Sequence, residues 1–257
     1  MAMAKSTTTI DISIMEIQRG RIDFLVLGTT PMICNAMSGK AAGELLLPSP
    51  KKNAAEKAAN LKHNPLEEYR NSVYKTRGDS APTRIYQLPT CFKKAIISAA
   101  LDIPGATKSQ MGRLISIIGD QIYIYGIPQL HMSIVRMADM NRTPDVRTRV
   151  ILPRWAAYLT VEYTKPIIKD QAVINLLAAA GITQGIGDWR VQKGSGNYGQ
   201  FSLVGTDNTE FSEIVTTGGR AAQDAALADP LTYNAETDEL LSWFSVESKR
   251  RGFKIAA

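Results

Sequence analysis

Reactive side chains are scarce in this sequence. Two cysteines, Cys34 and Cys91, and two histidines, His63 and His131, are all that 257 residues offer of the groups that most often hold metals or pair a nucleophile with a base. The four show none of the short pair spacings of a zinc site, so no metal is predicted, and the distant cysteines are expected to be buried as small apolar residues. No serine stands in a G-x-S-x-G elbow and no G-x-x-x-x-G-K-[ST] loop occurs, which removes the commonest hydrolase and phosphate-cradle signatures. The expectation is a protein that is not an enzyme and uses no cofactor. Long apolar runs are missing too. Nothing approaches the roughly 20 residues of a membrane helix, and MAMAKSTTT lacks the apolar stretch of a signal peptide. A cytoplasmic protein without membrane contact, in a bacterial or phage-infected host cell, is expected.

What is present begins with a core. Hydrophobic residues make up 44% of the chain and charged ones 21%, enough to bury one large domain or a domain with an elaborate insertion. The charge excess is small, 30 Lys+Arg against 24 Asp+Glu, a net +6. It is concentrated locally. Between Arg136 and Arg154 stand Arg136, Arg142, Arg147, Arg149 and Arg154 against Asp139 and Asp145, and the guanidinium fork suits bidentate phosphate contacts. A solvated surface with aspartate partners is the alternative for this segment.

Periodicity outlines the elements. Residues 21–28, RIDFLVLG, alternate Ile22, Phe24 and Val26 on one face and predict a first strand. Residues 36–88 read as a helical insertion, with Asn64 and Pro65 opening a helix that carries Glu67 and Glu68 in its first turn. From Thr90, as a candidate cap, Phe92, Ala95, Ile96, Ala99 and Ala100 share a helix face that leaves Lys93 and Lys94 off it. LISIIGDQIYIYG (114–126), QLHMSIVRM (129–137) and AYLTVEY (157–163) predict strands, and residues 137–154 a basic protruding loop. Asp170 is expected to cap a helix with Val173, Ile174, Leu177 and Ala178 as its stripe and Gly181 as its stop; QFSLV (200–204) ends the series. The order strand, helix, strand, strand, helix, strand is the split βαβ of an α+β, ferredoxin-like or RRM-like fold with an antiparallel sheet. Residues 206–257 read as a C-terminal extension, loop-like until a docked helix from TDELLSW onward.

Between the second helix and the last strand lies GIGDWRVQKGSGNYGQF (185–201). Gly185-Ile186-Gly187 starts like a dinucleotide fingerprint but continues Asp188-Trp189-Arg190, and it follows a helix and precedes a strand, the reverse of the required context. Trp189, Arg190, Lys193 and Tyr198 beside glycines are instead what a sequence-tolerant nucleic-acid binder combines: cations for phosphates, aromatic faces for bases. The alternative is a mobile loop whose Trp189 packs into the core.

The strand ending in GTTPMICN, the helix of LPTCFKKAIISAAL and the late GIGDWRVQKGSGNYGQF together resemble the RAMP superfamily, and within it the backbone subunits of CRISPR effector complexes and their phage-borne relatives. The resemblance covers residues 20–205. It implies a single non-catalytic domain that binds single-stranded RNA, or single-stranded DNA, and joins copies of itself head to tail along the strand, with other effector-complex subunits as further partners. By position it implies contacts from Asn35, Lys93, Lys94, Arg190 and Lys193, and places the 136–154 segment as a protruding hairpin. Two other readings stand beside it: a phage structural or adaptor protein that binds protein neighbours without nucleic acid, and a nuclease using Asp139 or Asp145.

Overall fold

The computed structural model describes residues 14–37, 43, 45–47, 61–105, 107–136, 143–193 and 195–253. Chain order in the first half runs β1 (Gln18–Gly28), β2 (Met32–Ile33), α1 (Pro65–Asn71), β3 (Tyr74–Lys75), β4 (Ile85–Gln87), α2 (Pro89–Ala99), α3 (Lys108–Leu114), β5 (Ile115–Ile117) and β6 (Ile122–Tyr125). The second half continues with β7 (Gln129–Arg136), β8 (Pro144–Leu152), β9 (Ala156–Lys165), α4 (Asp170–Thr183), β10 (Phe201–Val204), α5 (Thr209–Thr217), α6 (Arg220–Ala228) and α7 (Ala235–Arg250).

The fold is α+β with an antiparallel, ferredoxin-like core. The main sheet runs β10-β1-β9-β6-β4-β3, with β5 also on β9, and every pairing is antiparallel. Taking β1, β5/β6, β9 and β10 as the four strands of the split βαβ gives the spatial order fourth, first, third, second. On β1, Phe24 and Val26 are buried toward the helix layer, where α2 packs on α4. Trp155, fully buried, fills the turn between β8 and β9; its Nε1 donates to Thr30 O at 2.9 Å and its ring meets Phe201 edge-on. A second sheet, β2-β8-β7, extends from the end of the main sheet at which β1 finishes.

Several local expectations shift. The strand expected over 114–126 is broken at Gly119, whose φ of +94° turns the chain, so that β5 and β6 serve β9 in succession, and the residues just before are helical. The loop expected over 137–154 is strand from Pro144, in register with β7 from Arg136↔Pro144 to Gln129↔Ile151. Asn64 caps α1 through Glu67 N, whereas α2 and α4 begin with Leu88 and Lys169 at the cap and no side-chain cap bond; Asp170 instead takes the Tyr163 hydroxyl and pairs with Lys165. Gly181 lies inside α4, because a Cβ there would stand 2.0 Å from Phe201 O; the glycine lets β10 close on the helix.

The segment from 206 is the largest difference. It is helical, not loop-like: Asn208 accepts from Phe211 N at 2.7 Å and caps α5, whose Phe211 and Ile214 cover Leu27 and Ala156 on the sheet face opposite the helix layer. Gly218 and Gly219 separate α5 from α6. From α6, the fully buried Gln223 accepts from Arg84 N and Ile85 N, each at 2.9 Å, and donates to Ile124 O, Gly126 O and Gly218 O at 2.8 to 3.1 Å. The carbonyls that end α6 are taken by α1: Tyr69 Oη donates to Ala226 O, and Arg70 to Leu227 O and Ala228 O, placing a cation at the negative helix end. The docked terminal helix is α7, capped by Asn234 and tied to β7 by Met132 N donating to Thr237 Oγ1.

Candidate nucleic-acid interface

The glycine stretch forms a closed structure rather than a loose turn. Asp188 N donates to Ile33 O, Ile186 N to Gly199 O and Gly199 N to Pro31 O, all between 2.8 and 2.9 Å. These bonds press the chain against itself and against β2. Gly199 has φ +72°, and a Cβ there would stand 1.7 Å from Ile186 O; Gly187 has φ +83°, with Ile33 O 2.5 Å from its would-be Cβ. Gly199→Ala is therefore expected to cost more than about 2 kcal/mol, since left-handed strain and a backbone collision act together. A urea midpoint equal to wild type would show that the loop is not closed this way. Residues 194–199 also spell G-x-G-x-x-G, a match that a reading of 185–190 passes over; it opens onto β10 rather than a helix, so the dinucleotide context is missing there as well.

Trp189 is not a core residue. Its backbone sits at φ +50°, its ring stacks on Tyr198 at 5.9 Å and 27°, and the residue is 38% exposed, so part of the indole is open to solvent. Arg190 donates from Nη1 to Gly187 O and from Nε to Gln192 Oε1, and Gln192 Nε2 reaches Ser98 Oγ on α2. Loop and helix thus share one surface. Cys91, half-buried on α2, reports the same proximity: burial pushes its thiol pKa up, while Arg190 and then Lys94 pull it down. Cys34 is fully buried and pushed up to about 12, mainly by burial, as expected of a thiol used for packing. Lys94 and Lys193 are exposed and Lys93 half-buried, and none of the three has an acidic partner among the described residues.

The arginines are dispersed. Arg149 on β8, with a side chain only 13% exposed, is paired with Asp188 of the glycine stretch; burial and then Arg147 push its pKa down to about 10, so it remains a cation at neutral pH. Its guanidinium clasps the hairpin to the loop. Arg154 pairs with Glu210 and Glu213 of α5, away from that surface. Arg147 is half-exposed, 4.0 Å from Asp145, and with Asn35 lines a polar cavity of about 500 Å³ between the hairpin and α1. Arg136 ends β7 and is exposed; Arg142 and Asp139 lie outside the described residues. Partial burial would raise the Asp145 carboxyl, but the Lys62 ammonium at 2.8 Å, with His63 and Arg147, holds it below the usual carboxylate range. Among the described residues no group of three or more His, Cys, Asp or Glu could hold a metal ion. Asp188 is the partner that sequence reasoning passed over; its place within the stretch, one residue before Trp189, is the only signal it gives.

Fold and surface together define an antiparallel α+β domain that presents cations and an open indole on a rigid glycine-rich loop. No protein-family model matches the chain, and no curated protein matches it. Among solved structures it is similar to Cmr6 from Pyrococcus furiosus, at 14% identity over 73% of this chain and 99% of that chain, with a TM-score of 0.29. No helix among the described residues is long and apolar enough to cross a membrane.

Proposed function

We propose that the chain is a non-catalytic protein that binds single-stranded nucleic acid, RNA in preference to DNA, and associates head to tail along the strand in the manner its resemblance to RAMP backbone subunits implies. The observation that carries the reading is the surface that α2 shares with the glycine loop, where Gln192 reaches Ser98, Arg190 and Lys94 both act on the Cys91 thiol, and the Trp189 ring stacked on Tyr198 stays partly open on a loop held in place by backbone bonds. Cations without acidic partners offer phosphate contacts, and a half-exposed indole offers a stacking face that any base can use. A contact between unlike faces of two copies does not close, which suits growth along a strand.

Fluorescence anisotropy with oligouridylate and oligothymidylate tests it. Four phosphate contacts on a single strand give a logarithmic salt slope of about −3, so affinity is expected to fall roughly 50-fold between 50 and 200 mM salt. No binding at low salt, or binding indifferent to salt, would remove the proposal. The rival, an adaptor that binds protein, draws on the exposed Trp243 and Val246 of α7. It predicts purified material free of 260 nm absorbance excess and an assembly that nuclease leaves intact.

A further inference from the structure

The main-sheet face that α5 covers at Leu27 and Ala156 continues onto β6, β4 and β3 with a row of tyrosines. Tyr74, Tyr86 and Tyr123 are in direct register across β3, β4 and β6. Their neighbours Ile85, Gln87, Ile122 and Ile124 are buried, so alternation turns the tyrosines to the opposite face, where each is half-buried. The Tyr74 and Tyr86 rings lie 5.6 Å apart. Beside this row the turn after β3 encloses a concavity of about 500 Å³, lined by Lys75, Arg77, Gly78, Tyr86, Gln121 and Tyr123.

Its charge is unbalanced. Asp79 is taken by Arg220, Asp224 by Arg84 and Arg220, and Arg70 is committed to the α6 carbonyls. Lys75 and Arg77 are left without an acidic partner among the described residues. Partial burial, then Arg70 and Arg84, hold the Lys75 ammonium below its ordinary pKa. A flat aromatic face next to the unmatched Arg77 is the recognition chemistry of a nucleotide within a strand.

We propose a second single-strand contact on the tyrosine-bearing part of the sheet, in which a base stacks on Tyr86 and Tyr123 while its phosphate lies on Arg77. This rests on the reading of the protein as a single-strand binder and adds to it a site beyond the glycine loop. The strand then touches the tyrosine row as well as the glycine loop, which lengthens the stretch each copy covers.

Photocrosslinking of the full chain to a 5-bromouridine oligonucleotide is expected to mark the peptide containing Tyr86 or Tyr123. Tyr86→Ala with Tyr123→Ala should weaken binding about tenfold or more, and Tyr86→Phe with Tyr123→Phe should stay within about twofold, because stacking needs the ring and not the hydroxyl. Arg77→Ala, at an exposed turn position that leaves the sheet intact, should lower the salt slope by about 0.7. Wild-type affinity in the alanine pair and wild-type slope in Arg77→Ala, or adducts confined to other peptides, would overturn the site. If only variants at Lys94 and Arg190 lose binding, the sheet contact fails and the glycine-loop reading stands; if only the tyrosine and Arg77 variants do, the reverse holds. An oligonucleotide bound nowhere ends both.

Discussion

Lys94→Glu combined with Arg190→Glu is expected to lower oligonucleotide affinity about 100-fold. Each side chain brings a positive charge to one surface shared by α2 and the glycine loop, and a charge-assisted phosphate contact contributes roughly 1.5 kcal/mol or more, so losing two removes about 3 kcal/mol. The salt slope should fall by about 1.4, two contacts at 0.7 each. Arg190 also holds Gly187 O, so its replacement loosens the loop as well as reversing a charge. Lys94→Glu with Lys193→Glu separates the two effects, since both lysines are exposed and lack acidic partners among the described residues. That pair should lose affinity with an unchanged urea midpoint. Wild-type affinity in both double variants would remove the surface from the binding site.

Gln223→Leu is expected to cost roughly 3 to 5 kcal/mol of stability, among the larger effects of any single change in a domain this size. The leucine fills nearly the same volume but leaves the Arg84 and Ile85 N–H groups and the Ile124, Gly126 and Gly218 carbonyls short of a partner. Some relief exists, because Gly218 O also accepts from Gly126 N at 2.9 Å. Gln223→Glu keeps the acceptor oxygen and loses the two amide N–H groups that the three carbonyls share, so it should fall in the same range with the added cost of a buried carboxylate. Urea denaturation followed by far-ultraviolet circular dichroism measures both. A loss under about 1 kcal/mol for the leucine variant would mean that α6 does not pin the sheet.

The order of the core elements was legible because two strands and two helices announce themselves by alternation or by a helical stripe: Phe24 and Val26, the Phe92–Ala100 face, the 157–163 alternation and the stripe around Val173 and Leu177. Position also identified the glycine stretch as the link from α4 to β10. Three other features were hidden for physical reasons. The helices α5 and α6 bury few residues each, Phe211 and Ile214 in one and Gln223 and Leu227 in the other, so their stripes are too thin to stand out from turn-rich composition. The arginines of 136–154 read as one basic patch, yet two of them are taken by carboxylates from other parts of the chain, Arg149 by Asp188 and Arg154 by Glu210 and Glu213, partners that no local pattern announces. The tyrosine row is assembled from segments distant in sequence, and only QIYIYG, with Tyr123 and Tyr125 on one face, carries a local trace of it.

The Gln223 hub also sets an order of events during synthesis. The Ile124 carbonyl it binds lies 99 residues earlier in the chain, and the Ile85 amide 138 earlier. At the roughly 5 to 20 residues per second of a ribosome, β4 and β6 wait several seconds or more for the side chain that completes their pairing. Over that interval the far half of the sheet holds unmatched backbone groups beside an apolar face, a state that invites association with other nascent chains. The domain becomes self-sufficient only when its last third has emerged, so its yield in cells should depend on translation speed between β6 and α6 as much as on the stability of the finished fold.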